Sequence, residues 1–247
     1  MFHLVAAAIL FSAAGAQAEQ PSAEPSWSVV IHGGAGVIER DDLDAATEAA
    51  YRAALNDAAV AAGEILGAGG SALDAVETVI RAMEDDPKFN AGRGAVFTSE
   101  GRNELDASIM RASDRQAGAV SSVTSVRHPI SLARAVMEDS PHVMLSGAGA
   151  ENFAVEQGLE QVDNLYFFTE RRWASMARAV MAMGLPVPPR PEGAPEAEPI
   201  NEGALDVMER EHRFGTVGVV ARDQSGEIVA VTSTGGTTAK RWGRVGD

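Results

Sequence analysis

The sequence predicts a mixed α+β protein in which helical and strand-like segments alternate. Residues 41–66 are rich in Ala and have helical spacing, and the apolar side chains of residues 71–83 recur every three or four positions. Two β-rich runs, 217–221 and 228–232, are joined by the turn sequence Asp223-Gln224-Ser225-Gly226, which predicts a hairpin. With 247 residues, 45% of them hydrophobic, the chain is long enough to bury a sizeable core.

In the first half of the chain, a short buried strand is predicted over 27–31. The helix over 41–66 starts with acidic residues, which the helix dipole favours. Ser71 and Asp74 form a capping pattern that predicts the start of the second helix. A turn is expected over 89–94, followed by three strands over 95–98, 105–110 and 118–126.

In the second half, Pro129 predicts the start of a helix that runs to Met137, and residues 143–145 are strand-like. Two more helices are predicted over 151–157 and 171–183. Residues 184–203 then contain six of the eleven prolines and few large apolar side chains. Such a segment cannot bury enough surface to offset its chain entropy, so it predicts a flexible linker, taken as 184–205.

Charge and composition exclude several classes of function. Lys and Arg total 20 against 35 Asp and Glu, which gives a formal net charge of −15 and argues against binding nucleic acid. The sequence contains no Cys, which excludes disulfides, thiolate metal sites and a Cys nucleophile. Its five His residues have no metal-ligand spacing, so a His-based metal centre is not expected.

The N-terminal segment has the pattern of a secretory signal peptide. Residues 4–14 form an apolar run too short to span a bilayer, and Ala16-Gln17-Ala18 suits signal-peptidase cleavage before Glu19. We therefore expect residues 1–18 to be removed and the protein to be periplasmic or secreted, with no membrane anchor. The alternative is a buried N-terminal helix.

The Gly-rich stretch His32-Gly33-Gly34-Ala35-Gly36 follows a predicted strand, as a phosphate-binding turn would. It lacks the G-x-G-x-x-G order, and no P-loop Lys follows it, so a tight turn between packed backbones is the favoured interpretation. The sequence also contains no G-x-S-x-G motif of a serine hydrolase.

The junction between the predicted linker and Gly215-Thr216 carries the most chemical information. Cleavage before Thr216 would place its hydroxyl and a new α-amine on one residue. An α-amine has a pKa of about 8, so it can accept the hydroxyl proton near neutral pH. The alternative is a Thr that only favours β-structure.

Several ordered motifs make the sequence resemble the isoaspartyl peptidase/L-asparaginase family, the plant-type asparaginases, which are N-terminal-nucleophile hydrolases. The resemblance covers the chain from about Trp27 to its end. The most specific motifs are Gly215-Thr216-Val217-Gly218, Thr232-Ser233-Thr234-Gly235-Gly236 and Gly243-Arg244-Val245-Gly246-Asp247. Others are the Gly-rich stretch at 32–36, Phe89-Asn90-Ala91-Gly92-Arg93-Gly94 with Ala95-Val96-Phe97-Thr98, Glu104-Leu105-Asp106-Ala107, Ser140-Pro141-His142-Val143-Met144 and Gly149-Ala150-Glu151-Asn152-Phe153-Ala154.

This resemblance implies a four-layer αββα sandwich and hydrolysis of β-aspartyl peptides and of L-asparagine through a β-aspartyl-enzyme intermediate. It implies no organic cofactor, a small-molecule or dipeptide substrate, and a homodimer of αβ units. Two alternatives stay open at this point: an uncleaved, catalytically inactive fragment of that family that serves only as a binding or structural protein, or specificity of the glycosylasparaginase type.

The resemblance also assigns roles to individual residues. Self-cleavage would break the Gly215–Thr216 bond and make Thr216 the nucleophile, with Thr234 tuning its hydroxyl. Arg244 would bind the substrate α-carboxylate and Asp247 its α-ammonium group. One cation and one carboxylate three residues apart do suit a zwitterionic head group, although a surface ion pair would be the default interpretation of that pair alone.

Two further assignments follow from the resemblance. Asn90 matches a residue near the active site of the family. The loop 83–93 matches one that holds a structural Na⁺ through backbone carbonyls, here those of Met83, Glu84, Asp86, Phe89, Ala91 and Arg93.

The family's β chain continues past the position of Asp247 into a Gly-rich turn that supplies the oxyanion hole. We therefore expect this chain to be truncated at its C-terminus. The expected organisation is a signal peptide over 1–18, an α-chain part over 19–215 that includes the linker, and the start of the β-chain part over 216–247.

Overall fold

One six-stranded sheet with the order β1-β5-β6-β2-β3-β4 organises the fold. The computed structural model describes residues 26–34, 44–196 and 215–246. Its strands are β1 (Ser28–His32), β2 (Leu105–Arg111), β3 (Ala117–Val123), β4 (Met144–Ser146), β5 (Val217–Arg222) and β6 (Ile228–Thr234). Its helices are α1 (Ala45–Gly67), α2 (Ala72–Asp85), α3 (Pro129–Asp139), α4 (Gly147–Glu156) and α5 (Glu170–Ala182).

The β5–β6 hairpin lies in the middle of the sheet, although it comes last in the chain. It pairs with β1 on one side and with β2 on the other, in both cases antiparallel. Only the β3–β4 pairing of this sheet is parallel. The predicted hairpin is therefore confirmed, and it forms the central pair of strands.

Helices cover one face of the sheet. Side chains of β5 and β6 at alternating positions, such as Val219 and Val231, are buried in one core with Val76 and Ile80 of α2. α3 packs directly on β3 at Gly118, where an added Cβ would lie 2.0 Å from the Ala133 carbonyl oxygen. The period-2 pattern of the strands and the helical pattern of residues 71–83 thus meet at one interface.

The opposite face of the sheet carries exposed apolar side chains. Val30 of β1 is 69% exposed, Met110 of β2 45% and Val220 of β5 46%. A shallow cavity of about 490 Å³ runs along this face. The predicted α+β class is confirmed; of the four layers of the sandwich, the described residues form one sheet and one layer of helices.

Side-chain caps mark the starts of α1 and α2. The predicted start of α2 at Ser71 is confirmed, whereas α1 begins at Ala45 instead of residue 41 and α4 begins at Gly147, four residues before the predicted start at Glu151. Asp44 caps α1 by accepting the N–H groups of Ala46 and Thr47, and Ser71 caps α2 by accepting that of Asp74. The Ser71 hydroxyl also donates to the Asp74 carboxylate at 2.7 Å. These short side chains pair N–H groups that a helix start leaves without a backbone partner.

The strand predicted over 95–98 is wrong. Phe97 and Thr98 form isolated bridges instead of a ladder. Side-chain amides take the neighbouring backbone groups: Asn90 accepts the N–H of Val96, and Asn103 donates to the carbonyls of Ala95 and Val96. β3 also ends three residues before the predicted boundary at 126.

Several predictions from the sequence fall partly or wholly outside the described residues. They include the signal peptide over 1–18, residues 197–205 of the linker, and Asp247. Residues 184–196 contain no helix or strand, and Arg190 among them binds Glu170 and stacks on Phe168. The division into domains stays a prediction. Among the helices of the described residues, none is long and apolar enough to cross a membrane.

The close approach of α3 to β3 gives a stability prediction. We expect Gly118→Ala to lower the free energy of unfolding by roughly 3 kcal/mol, because the new methyl group overlaps the backbone of α3. Urea denaturation of the purified protein measures this. Gly149→Ala in α4 is the control: an added Cβ there meets nothing within 4 Å, so stability should stay equal or rise slightly. Equal stability of the two variants would contradict this packing.

Candidate active site

Thr216 and Thr234 lie side by side at one end of the central hairpin. Thr216 directly precedes β5 and Thr234 is the last residue of β6. The antiparallel register pairs Val217 with Ser233, so the two threonines come next to each other. The Thr216 hydroxyl donates a hydrogen bond of 3.1 Å to Oγ1 of Thr234. The structure thus brings together two residues that are 18 positions apart in sequence.

The backbone after β6 fixes the Thr234 hydroxyl. The N–H of Gly236 donates to Oγ1 of Thr234 at 2.9 Å. Gly236 has a φ of 79°, a conformation that favours glycine. Thr234 itself is 2% exposed, so its hydroxyl is held in place beside the half-buried Thr216.

Gly215 is enclosed on two sides. Gly34, which has a φ of 122°, packs against Gly215: a Cβ added to Gly34 would lie 3.3 Å from the Gly215 carbonyl oxygen. A Cβ on Gly215 would lie 2.7 Å from Cβ of Asn90 and 2.8 Å from its Nδ2. The tight-turn interpretation of the Gly-rich stretch agrees with this close approach at Gly34. The predicted cleavage-site glycine therefore lies against the side chain of Asn90.

Asn90 connects its own loop to the turn that follows β6. Its Nδ2 donates to the Gly236 carbonyl at 2.8 Å, and its Oδ1 accepts the N–H of Val96 at 3.0 Å. Its own carbonyl accepts the N–H of Gly235 at 3.0 Å. Asn90 is 5% exposed, so these bonds are made in the protein interior. The structure therefore places Asn90 beside Gly215 and the turn that follows Thr234.

Arg244 lies on the loop 235–246, which leaves β6 directly after Thr234. A Cβ added to Gly236 would lie 3.3 Å from Nη1 of Arg244, so the guanidinium group is close to the turn that holds Thr234. Arg244 as a whole is exposed. The structure therefore places a solvent-accessible cation near the threonine pair. Asp247, the predicted partner for an ammonium group, lies outside the described residues.

A buried carboxyl group lies behind β6, on the helix face. Oε1 of Glu84 accepts the hydroxyl of Ser233 at 2.6 Å and the N–H of Ile130 at 3.1 Å. Burial raises the pKa of Glu84 to about 8. Because Ser233 precedes Thr234, this contact ties the end of β6 to α2.

The loop predicted to bind sodium is packed around its own backbone carbonyls. A Cβ added to Gly92 would lie 2.2 Å from the Glu84 carbonyl oxygen, and one added to Gly94 would lie 1.9 Å from that of Phe89. Only glycine fits at these two positions. No group of three or more His, Cys, Asp or Glu residues in the described part of the chain could hold a metal ion, so a cation here would depend on the carbonyls.

Two charged residues beside this site, Asp106 and Lys240, were not predicted from the sequence. Asp106 lies opposite Thr234 in the β2–β6 register, and Lys240 lies on the loop that carries Arg244. The signal for Asp106 was a carboxylate within a strand-like run, where a buried charge is unexpected. Lys240 gave no comparable signal, because one Lys in a Gly-rich loop is usually exposed.

Comparison with known proteins identifies the relatives of this chain. The sequence profile of the asparaginase family matches residues 25–247. An isoaspartyl peptidase of Salmonella typhimurium is 44% identical over 221 residues, which cover 89% of this chain and 66% of the relative.

Two other relatives show the same extent of similarity. An isoaspartyl peptidase of Escherichia coli is 43% identical over 219 residues, and the human isoaspartyl peptidase/L-asparaginase is 41% identical over 220 residues. The matches cover 64% and 63% of those proteins and 89% of this chain in each case. The chain therefore spans about two thirds of the length of the curated relatives it matches.

The position of Asn90 gives a prediction for the site. We expect Asn90→Ala to lower the free energy of unfolding by roughly 3 kcal/mol, because it leaves the Gly236 carbonyl and the Val96 N–H buried without their partner. Hydrogen–deuterium exchange should speed up in peptides covering 89–97 and 233–237.

Asn164→Ala is the matched control, because the side chain of Asn164 also bridges backbone groups: its Nδ2 donates to the carbonyls of Asn103 and Thr124, and its Oδ1 accepts the N–H of Asn103. It should speed up exchange around 103 and 124 and leave 233–237 unchanged. The same exchange pattern in both variants would mean that Asn90 does not hold the site locally.

Proposed function

The chain belongs to the asparaginase family, and we propose that it acts as a self-processing threonine hydrolase of β-aspartyl peptides and L-asparagine. The observation that carries this proposal is the 3.1 Å hydrogen bond between Thr216 and Thr234, with Gly215 enclosed beside it. The names of its relatives, isoaspartyl peptidase and isoaspartyl peptidase/L-asparaginase, support the substrate class.

Self-cleavage would proceed by attack of the Thr216 hydroxyl on the carbonyl carbon of Gly215. The peptide C–N bond breaks as an ester C–O bond forms, and the amide nitrogen of Thr216 gains the proton that the hydroxyl loses. Water then hydrolyses the ester, which leaves a carboxylate on Gly215 and a free α-amine on Thr216. The enclosure of Gly215 by Gly34 and Asn90 supports this step, because it fixes the reacting carbonyl.

The new α-amine of Thr216 would then serve as the base for its own hydroxyl. An α-amine has a pKa of about 8, far closer to neutrality than that of an alkyl hydroxyl. Thr234 would fix the direction of the Thr216 hydroxyl, because its own oxygen is held by the Gly236 N–H.

In the hydrolytic reaction, Oγ1 of Thr216 would attack the side-chain carbonyl of the substrate. The α-amine of Thr216 takes the proton of the hydroxyl as the C–O bond forms. The C–N bond of the substrate then breaks, the leaving nitrogen takes that proton from the Thr216 α-ammonium group, and a β-aspartyl ester remains on Thr216. Water attacks this ester, releases aspartate and restores the hydroxyl. The leaving group is ammonia from L-asparagine or the amine of the next residue from a β-aspartyl peptide.

Arg244 would bind the α-carboxylate of the substrate and Asp247 its α-ammonium group. The exposure of Arg244 and its position beside Gly236 support the first assignment, because a guanidinium group can bind a carboxylate through two hydrogen bonds. Together they select a free aspartyl head group over an internal peptide position.

The residues of the loop 83–93 fit a structural Na⁺ site. The carbonyls of Met83, Asp86 and Ala91 each accept one backbone N–H, and a carbonyl oxygen can accept two interactions. Oxygen ligands suit a hard cation. Such an ion would stabilise the loop that carries Asn90 and would take no part in the chemistry.

We also propose that the protein is exported to the periplasm or beyond, that residues 1–18 are removed, and that it assembles as a homodimer of αβ units.

Replacement of the proposed nucleophile tests the function. We expect Thr216→Ala to abolish both self-cleavage and release of aspartate from β-aspartyl dipeptides, because it removes the attacking oxygen. Thr216→Ser should retain a fraction of both. Denaturing gels and an assay for free aspartate measure them.

The control for this experiment is Thr78→Ala, which removes an exposed hydroxyl on α2 and should leave both reactions unchanged. Cleavage that persists in Thr216→Ala would contradict the proposal. Turnover of a glycosylated asparagine alone would instead assign the glycosylasparaginase type of specificity.

Replacement of Arg244 tests substrate binding. We expect Arg244→Gln to raise KM for L-asparagine and β-aspartyl dipeptides roughly ten- to hundredfold, because a charge-assisted hydrogen bond to the α-carboxylate is lost. Arg241→Gln, in the same loop but stacked on Trp242, is the control and should change KM little. Equal KM values for the two variants would remove Arg244 from the binding site.

A further inference from the structure

A buried ion pair lies between the threonine pair and the loop that carries Arg244. The side chains of Asp106 and Lys240 are 4% and 1% exposed, and Oδ2 of Asp106 lies 3.5 Å from Nζ of Lys240. Burial of two charges is costly, and their attraction offsets that cost only in good geometry with further hydrogen bonds. The reaction proposed above uses neither residue, so the pair calls for another explanation.

Asp106 joins the end of the loop 235–246 to the sheet. Its Oδ2 accepts the N–H of Gly246 at 2.6 Å, and its Oδ1 accepts the N–H of Ser122 at 2.8 Å. The β2–β3 register shifts at Asp106, and Ser122 there has a φ of 54°. This β-bulge turns a backbone N–H of β3 toward the carboxylate.

Lys240 joins the middle of the same loop to Glu104, the residue before β2. Its Nζ donates to the Glu104 carbonyl at 2.9 Å, and its own carbonyl accepts the N–H of Ser99 at 3.0 Å. A Cβ added to Gly236 would lie 3.3 Å from both Nζ of Lys240 and Nη1 of Arg244, so the two cations are neighbours. Burial lowers the pKa of Lys240 and the charge of Arg244 acts in the same direction, whereas Asp106 opposes it.

The loop 235–246 needs such attachments to keep one conformation. Ala239 and Trp242 have φ values of 56° and 58°, which cost a non-Gly residue about 1 kcal/mol or more each. Asp106 lies opposite Thr234 in the sheet. The end of the loop 235–246 is therefore attached to the sheet at the level of the threonine pair.

We propose that Asp106 and Lys240 are positioning residues for recognition of the substrate α-carboxylate. They hold the loop 235–246 so that Arg244 meets this carboxylate while the scissile carbonyl reaches Thr216. The proposal rests on the function proposed above. Asp106 and Lys240 would affect specificity indirectly: they hold the loop in place, and Arg244 contacts the substrate.

The test compares two substrates of one enzyme. The first is a β-aspartyl dipeptide with a free α-carboxylate on its aspartyl residue, and the second is the same dipeptide with that carboxylate converted to an amide. In the unmodified full chain, kcat/KM should be much higher for the first substrate. In Asp106→Asn and in Lys240→Met we expect the ratio of the two kcat/KM values to fall by on the order of tenfold, mainly through KM of the first substrate.

Asp223→Asn is the matched control. Asp223 is also a buried aspartate that accepts backbone N–H groups, but it lies in the turn at the other end of the β5–β6 hairpin. This variant should lose stability and keep the substrate ratio. Self-cleavage should continue in all three variants, because it does not involve the substrate carboxylate.

The outcomes separate the two proposals. An equal loss for both substrates in Asp106→Asn would show a general structural role and overturn the positioning proposal alone. No turnover of either substrate by the unmodified protein would overturn the proposed function and, with it, this inference. If a single variant fails to fold, the double variant Asp106→Asn/Lys240→Met removes both charges together, leaves neither unpaired and is measured in the same way.

Discussion

The antiparallel register of β5 and β6 is the constraint on which the rest of the site depends. Because Val217 pairs with Ser233, the residue before β5 and the last residue of β6 must lie next to each other. Their hydroxyl oxygens then lie 3.1 Å apart, and the N–H of Gly236 holds that of Thr234. The hairpin also forms the centre of the sheet, so its register is held by β1 on one side and β2 on the other. A shift by one residue would turn Val219 and Val231 out of the core, which makes this register strongly preferred.

Buried polar side chains attach the neighbouring loops to this sheet. Asn90 attaches the turn after β6 to the loop at 89–96, and Asp106 attaches the end of the loop 235–246 to β2 and β3. Ser233 is held from the helix face by Glu84. The hydrogen bonds of Asn90 and Glu84 are buried and those of Asp106 are part-buried, and a buried hydrogen bond lost without replacement is costly. The two threonines therefore lie at strand ends, and Arg244 lies on a loop whose backbone is attached to the sheet.

Local patterns in the sequence predicted most of the secondary structure. The hairpin turn at Asp223 and the cap at Ser71 depend on neighbouring residues, and both are confirmed. The strand expected at 95–98 failed because its backbone groups bond to the side chains of Asn90 and Asn103 instead of a ladder. The threonine pair was expected from family resemblance, and the structure brings it together. The partners Asp106 and Lys240 are 134 positions apart, a distance that no local pattern can bridge.

The proposed chemistry depends on the claim that Thr216 becomes an N-terminal nucleophile, which a denaturing intact-mass spectrum of the purified protein can test. We predict two polypeptides, one of which ends at Gly215 while the other begins at Thr216. Their masses should add up to that of the uncleaved chain plus one water, because one peptide bond is hydrolysed. A single uncleaved mass, or a cut at any other bond, would contradict the claim.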